Sequence, residues 1–274
     1  MTIATIKSVA ARFLANKKPE VMVLKGAWGV GKTYAWHKLV CDNKDKIELP
    51  YYCYVSLFGI SSLAELRLAI FAKTRSVKLI GQRLDAKTIN KEWKSLSSER
   101  IKSLTSIFSK FKDVPYIKHL TIGLDTIAPH LIGNVIICLD DFERLNKNNI
   151  SADELLGFIS SLKEEKGCKI VLIFNEYKLG NHKEAYQEYR EKIIDLEMEF
   201  APTAEEAVEL AFPANMHCRD IAKQCSLSLD IKNIRVLRKI VSMIEMVYAE
   251  IINLHQNVKQ QAVSTIVLLA YVYY

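Results

Sequence analysis

Apolar residues fall along this chain in two rhythms. In the first they stand together in short blocks: Val21 to Leu24, Tyr51 to Leu57, Val135 to Leu139, Ile170 to Phe174 and Ile193 to Phe200. Blocks this short, bounded by polar or glycine-containing segments, predict strands. Two of them, Val135 to Leu139 and Ile170 to Phe174, consist almost wholly of β-branched residues and Leu, as in a parallel sheet covered on both faces. In the second rhythm apolar residues recur at helical spacing. Ile6, Val9, Ala10, Phe13 and Leu14 predict a leading amphipathic helix within Met1 to Lys18. Leu63, Leu66, Ile70 and Phe71 predict another, opened by the capping-box pattern Ser62-Leu63-Ala64-Glu65. Ser151-Ala152-Asp153-Glu154 starts a third helix, which Gly167 stops.

The texture changes after Pro202. Thr203-Ala204-Glu205-Glu206 is a second capping box, and helices are expected over Ala204 to Phe212, His217 to Gln224, Ile231 to His255 and Val258 to Tyr274. The pattern divides the chain into an α/β core, residues 1–201, and a helical lid, residues 202–274. The final apolar run either marks a chain truncated in mid-helix or docks on the lid; both readings stay open. Residues 73–118 are polar, with a thin stripe of Trp93, Leu96, Ile101, Leu104 and Phe108, and read as a helical insertion outside the core.

The chain has 274 residues, half of them hydrophobic, enough for one large α/β unit and a smaller one. The net charge is +7, with basic residues concentrated between Lys87 and Lys112. That stretch would suit a phosphate-backbone surface, but no aromatic pattern accompanies it, and a solvated insertion is the plainer reading. His119 to Gly133 is apolar yet interrupted by Asp125, Pro129 and His130, so no membrane span is expected. The N-terminus lacks the continuous apolar run of a signal peptide. Cys41, Cys53, Cys138, Cys168, Cys218 and Cys225 form no C-x-x-C pair, and the expectation is reduced thiols in a cytoplasmic protein.

The chemistry concentrates in Gly26-Ala27-Trp28-Gly29-Val30-Gly31-Lys32-Thr33, which meets every fixed position of the phosphate-binding pattern G-x-x-x-x-G-K-[ST]. A strand precedes it and Tyr34 opens the helix that follows. Glycines let backbone N–H groups turn inward around phosphate oxygens, and the helix presents its positive end to the same anion. Lys32 is expected on the β- and γ-phosphates of a nucleotide, and the Thr33 hydroxyl on Mg²⁺.

Asp140 and Asp141 follow the strand Val135 to Leu139, which would lift both carboxylates to the C-terminal sheet edge beside that loop. One is needed for the Mg²⁺ shell and one to orient or deprotonate water. Asp140 is assigned to the metal and Asp141 to the water, with Glu143 as reserve base and Arg144 as charge partner or phosphate contact. The alternative for Asp141, Glu143 and Arg144 is that they cap the next helix. Asn175, at the end of Ile170 to Phe174, is expected to bond the attacking water or γ-phosphate, or else to form a turn.

Phosphate loop, Ile-Cys-Leu-Asp140-Asp141-Phe-Glu143-Arg144, Asn175 and Glu191-Lys192-Ile193-Ile194 together resemble the KAP group of P-loop NTPases, additional-strand proteins related to AAA+ and STAND ATPases. Val55-Ser56-Leu57-Phe58-Gly59 resembles their second strand. Glu143 replaces the more usual aspartate. The resemblance implies a three-layer fold with a five-stranded, mainly parallel sheet in the order 5-1-4-3-2 and a C-terminal helical lid. It implies ATP and Mg²⁺ as ligands, and ATP hydrolysis coupled to a conformational or assembly change. It puts Arg190 and Lys192 where a finger would reach a neighbour's nucleotide and Arg235, within Asn233-Ile234-Arg235-Val236-Leu237-Arg238-Lys239, where a lid sensor would stand; a solvated helix face is the alternative for Arg190 and for Arg235. Many KAP proteins carry membrane helices between these motifs; no such span is expected in this sequence, so membrane attachment is not carried over.

The leading expectation is therefore an ATP-hydrolysing switch or motor domain that binds Mg-ATP between core and lid. A homo-oligomer, a protein partner or effector domain, and a setting in bacterial defence against phage come from the resemblance. Asn43-Lys44-Asp45-Lys46 and Asn146-Lys147-Asn148-Asn149 both miss the final Asp of the guanine-reading Asn-Lys-x-Asp, which favours ATP. The competing readings are a nucleic-acid-stimulated translocase or loader working through Lys87 to Lys112, a small-molecule kinase, and a module that holds ATP with little turnover.

Overall fold

The computed structural model of the chain describes residues 3–81, 132–146, 149–180 and 182–274. Its centre is a six-stranded sheet in the order β3-β2-β4-β5-β1-β6. The strands are β1 (Val21–Lys25), β2 (Tyr51–Ser56), β3 (Arg75–Ser76), β4 (Val135–Asp140), β5 (Lys169–Phe174) and β6 (Leu196–Glu199). All pairings are parallel except that of β3 with β2. Leaving β3 aside, the parallel strands stand in the order expected, with β5 between β1 and β4. The expected count of five is corrected to six, because Arg75–Ser76 turns back and pairs with Tyr51 and Tyr52 at the open edge.

That return also corrects the insertion. The α-helix does not continue through residues 75–79: α3 (Leu63–Lys73) ends where the Thr74 hydroxyl bonds back to the Ile70 carbonyl at 2.7 Å, and a two-residue strand and a short 3-10 helix, Val77–Leu79, follow. The remainder of the expected insertion, including Lys87 to Lys112, lies outside the described residues.

The sheet is apolar on both sides, and each side has its own helices. Val21, Val23, Val55, Ile137, Leu139 and Leu172 meet α3, α4 (Ala152–Glu164) and α5 (His182–Ile193). Met22, Leu24, Ile136, Cys138, Val171 and Ile173 meet the other layer, α1 (Ile3–Leu14) and α2 (Lys32–Asp42). The alternation of one strand between two cores is the period of two at work. Ser151 and Thr203 both form complete capping boxes. Ser62 does so only in half: it accepts from Glu65 N–H, while the Glu65 carboxylate bonds the Ser61 amide.

Four helices follow β6: α6 (Ala204–Ala211), α7 (Arg219–Ser228), α8 (Ile234–Ile251) and α9 (Gln256–Tyr273). They enclose a separate core of Ala207, Val208, Leu237, Ile240, Ile244, Val263 and Val267. No described helix is long and apolar enough to cross a membrane.

Helix α1 is built into the sheet layer. Phe13 is 1 % exposed, and above its ring, 4.4 Å from the centroid, sits the ammonium of Lys169 at the start of β5. That buried charge is satisfied by the Asn16 carbonyl and side-chain oxygen and by Glu20. Burial pushes the Lys169 pKa down, and the Glu20 carboxylate pulls it back. Phe13→Ala is expected to cost about 3–5 kcal/mol of stability, read by urea unfolding; a loss below about 0.5 kcal/mol would mean that α1 is an appendage.

Candidate functional site

Parallel strands deliver their C-terminal ends to one side of the sheet, and β1, β4 and β5 are neighbours. The loop after β1, the acidic residues after β4 and Asn175 after β5 therefore arrive together. A cleft of about 240 Å³ is lined by Trp28, Gly29, Gly31, Lys32, Thr33, Tyr34, Asp140, Asp141, Glu143, Phe174, Ile234, Arg235 and Arg238.

Gly31 stands at φ +92° just before the first turn of α2. An L side chain is strained there, and a β-carbon would also come within 2.5 Å of Ile234 at the start of α8. Gly29 has the same constraint at φ +80°, facing the Asn233 side chain. The lid thus rests directly on the loop, and the Arg235 amide donates to the Gly29 carbonyl at 3.3 Å. Lys32 Nζ donates to the carbonyls of Gly26 (2.9 Å) and Ala27 (2.8 Å). Burial lowers the Lys32 pKa, Glu143, Asp140 and Asp141 raise it, and Arg235 lowers it again.

Asp140 is buried and held at both carboxylate oxygens. Oδ2 accepts from Thr33 Oγ1 at 2.6 Å and from Tyr54 Oη at 2.8 Å, and Oδ1 accepts from the Asp141 amide at 2.8 Å. Asp141 takes a left-handed turn at φ +62°, and its Oδ2 accepts from Ser56 Oγ at 2.6 Å. Arg144 lies 3.9 Å from Asp141 Oδ1 and stacks 4.0 Å above the Phe58 ring, so it serves as a charge partner.

Glu143 has a different surrounding. Its Oε2 is buried without a hydrogen-bond partner among the described residues. Burial raises its pKa; backbone N–H groups of Glu143 and Asn175 lower it, Asp141 raises it and Lys32 lowers it. The Asn175 side chain accepts from the Tyr177 amide at 3.1 Å and does not line the cleft. Its backbone, rather than its amide group, addresses the acidic site.

Two lid arginines sit over aromatic rings of the phosphate loop and α2. Arg235 lies 4.9 Å from the centroid of Trp28 and Arg238 4.3 Å from that of Tyr34. Arg190 is elsewhere: on α5 it pairs with Glu197 at 2.6 Å and stays outside the cleft. Of the residues singled out from the sequence, the structure brings Gly29, Gly31, Lys32, Thr33, Tyr34, Trp28, Asp140, Asp141, Glu143 and Arg235 to one place. Sequence reasoning missed Tyr54 and Ser56 as site residues, and from the lid segment Asn233 to Lys239 it chose Arg235 without Asn233, Ile234 or Arg238. The first two had a signal: in Tyr52-Cys53-Tyr54-Val55-Ser56 every second residue of an otherwise apolar strand bears a hydroxyl.

A strand-bound phosphate loop, a neighbouring acidic strand end and a helical lid define a P-loop nucleotide-binding domain. The KAP family P-loop domain matches residues 3–264, and the chain belongs to that family. No curated protein matches significantly. Among solved structures the fold is similar to the ORC2 protein of Aeropyrum pernix in ADPNP–ADP complexes, at TM-score 0.58 and 14% identity, covering 95% of this chain and 67% of that one. It is also similar to the Aeropyrum pernix ORC1 protein in complex with DNA, at TM-score 0.52 and 17% identity, covering 89% and 59%. The chain thus spans about two thirds or less of the length of those proteins.

The fit of Ile234 against the loop gives a test of the site's geometry. Gly31→Ala is expected to lose about 1–2 kcal/mol from left-handed backbone strain alone, read by denaturant unfolding, and Gly31→Ala combined with Ile234→Ala should lose less than the sum of the two single changes. Strict additivity would mean that Ile234 does not press on residue 31.

Proposed function

We propose that the chain is a magnesium-dependent, ATP-hydrolysing switch or motor domain. The observation that carries this is the 2.6 Å bond between Thr33 Oγ1 of the phosphate loop and Asp140 Oδ2 of the adjacent strand. It puts two hard oxygen donors at one point, the donor chemistry that magnesium prefers. Among the described residues no group of three or more His, Cys, Asp or Glu could hold a metal. A two-oxygen set suits an ion that takes its other ligands from phosphate and water. When bound, magnesium would supply neutralisation of the phosphate charge. Thr33 and Asp140 would hold it.

The protein's own groups divide the remaining work. Lys32 exchanges the Gly26 and Ala27 carbonyls for β- and γ-phosphate oxygens. Glu143 takes the proton of the attacking water, because its buried Oε2 is unpartnered while the Asp141 carboxylate is already engaged by Ser56. Asp141 supports the acidic turn. The Asn175 backbone N–H orients Glu143, and Arg235 and Arg238 leave their rings for the γ-phosphate. Arg190, assigned from the resemblance to a neighbouring copy's nucleotide, would first have to leave Glu197. ATP is preferred to GTP on the missing guanine-reading motif. The switch or motor role, assembly into a homo-oligomer and a setting in defence against phage rest on the family resemblance.

Lys32→Ala is expected to abolish binding of a fluorescent ATP analogue. Glu143→Gln should keep that binding and slow phosphate release by about 10²–10⁴-fold, with a smaller loss for Asp141→Asn. Full turnover by Glu143→Gln would return the base role to Asp141. Free phosphate should appear from the wild-type chain without any added acceptor; its absence, with transfer to an added acceptor, would favour the kinase reading.

A further inference from the structure

Strand β2 lies beside β4 in register, with Tyr54 opposite Cys138 and Ser56 opposite Asp140. Its odd-numbered residues Cys53 and Val55 are buried in one core. Its even-numbered residues Tyr52, Tyr54 and Ser56 turn their hydroxyls to the other side, each to a different partner. Tyr52 Oη accepts from Trp36 Nε1 at 3.0 Å, Tyr54 Oη donates to Asp140, and Ser56 Oγ donates to Asp141.

From this we infer that Tyr54 is a positioning residue for the metal: its hydroxyl fixes the rotation of the Asp140 carboxylate so that the oxygen shared with Thr33 faces the ion. The inference rests on the ATP and magnesium reading above. Three features carry it. Tyr54 touches Asp140 but does not line the nucleotide cleft; it lines a separate cavity behind it, with His37, Tyr52 and Arg75. Its ring is itself fixed, packed against the His37 ring with centroids 4.6 Å apart. Finally, Thr33 and Tyr54 converge on the same oxygen, Oδ2, while the Asp141 amide takes the other. A carboxylate held by one backbone amide and one rotatable threonine hydroxyl can still turn about its last torsion. A third donor on a rigid ring removes that freedom.

A phenol hydroxyl 2.8 Å from a carboxylate oxygen, which can only accept, donates to it, so Tyr54 acts on Asp140 as an outer partner of a metal ligand. Such outer partners of metal ligands alter metal affinity by about 10–100-fold when removed.

Tyr54→Phe removes one oxygen and keeps the ring on His37. The test is the magnesium concentration needed for half-maximal binding of a fluorescent ATP analogue, measured on the full chain beside binding of the same analogue in EDTA. Tyr54→Phe is expected to raise the magnesium midpoint by about tenfold or more and to leave the metal-free affinity as in wild type. Tyr52→Phe is the control, since it removes a hydroxyl from the same face of the same strand without touching Asp140; its magnesium midpoint should match wild type. A Tyr54→Phe midpoint equal to wild type overturns the inference and leaves the ATP reading standing. Equal shifts in both variants also overturn it, because they report loosened packing. A wild-type chain that ignores the analogue at every magnesium concentration overturns both.

Discussion

A buried carboxylate is expensive unless its oxygens are satisfied, and Asp140 is held in place by what lowers that expense. Its oxygens draw on Thr33 from α2, Tyr54 from β2 and the backbone turn at Asp141. Each hydrogen bond to a charged group contributes about 1.5–3 kcal/mol, against a larger cost for leaving the charge unpaired in a dry site. The three donors come from three different elements. Satisfying this one group therefore fixes the spacing of the phosphate loop against β4, and of β4 against β2. Hydrophobic burial on the sheet's two faces assembles the layers but is indifferent to a rotation of one side chain; the hydrogen bonds at Asp140 are not.

The acidic turn then separates two carboxylates of similar sequence position by environment. Asp141 is left-handed, partly exposed and tied to Ser56. Glu143, two residues on, is aimed into the cleft with an oxygen that no described group satisfies and a pKa raised by burial. An unsatisfied buried oxygen is a local cost that a folded chain tolerates where a ligand or water is to be met. The same logic applies to Lys32, whose ammonium is bonded to two carbonyls of its own loop. Those neutral acceptors satisfy it less strongly than a phosphate would.

Much of the frame was legible in the sequence because it rests on local and periodic signals. The helix start at Ser151, the capping box at Thr203, the apolar blocks of β4 and β5, and the phosphate loop need no tertiary information. The return strand Arg75–Ser76 was not legible: two polar residues have no strand pattern, and only the open edge of β2 gives them a partner. For the Asn175 side chain the sequence left a catalytic and a turn-forming reading open, because an Asn at a strand end can bond its own backbone two residues on, as its oxygen does at Tyr177. Tyr54 and Ser56 were missed because a hydroxyl on a strand reads as a solvated face unless the neighbouring strand is known. Register with β4 is what turns them toward the acids.

The lid arginines show how magnitudes set the direction of change. Arg235 and Arg238 sit on Trp28 and Tyr34, contacts worth about 0.5–1 kcal/mol each at exposed positions. A charge-assisted bond to a phosphate oxygen is worth about 1.5–3 kcal/mol. Both guanidinium groups already line the same cleft as Lys32 and Thr33, so on the ATP reading proposed above the balance favours the phosphate over the ring. On that same reading, Trp28 and Tyr34 act as resting places that keep the two guanidinium groups from pairing with Asp141 or Glu143 before a nucleotide arrives.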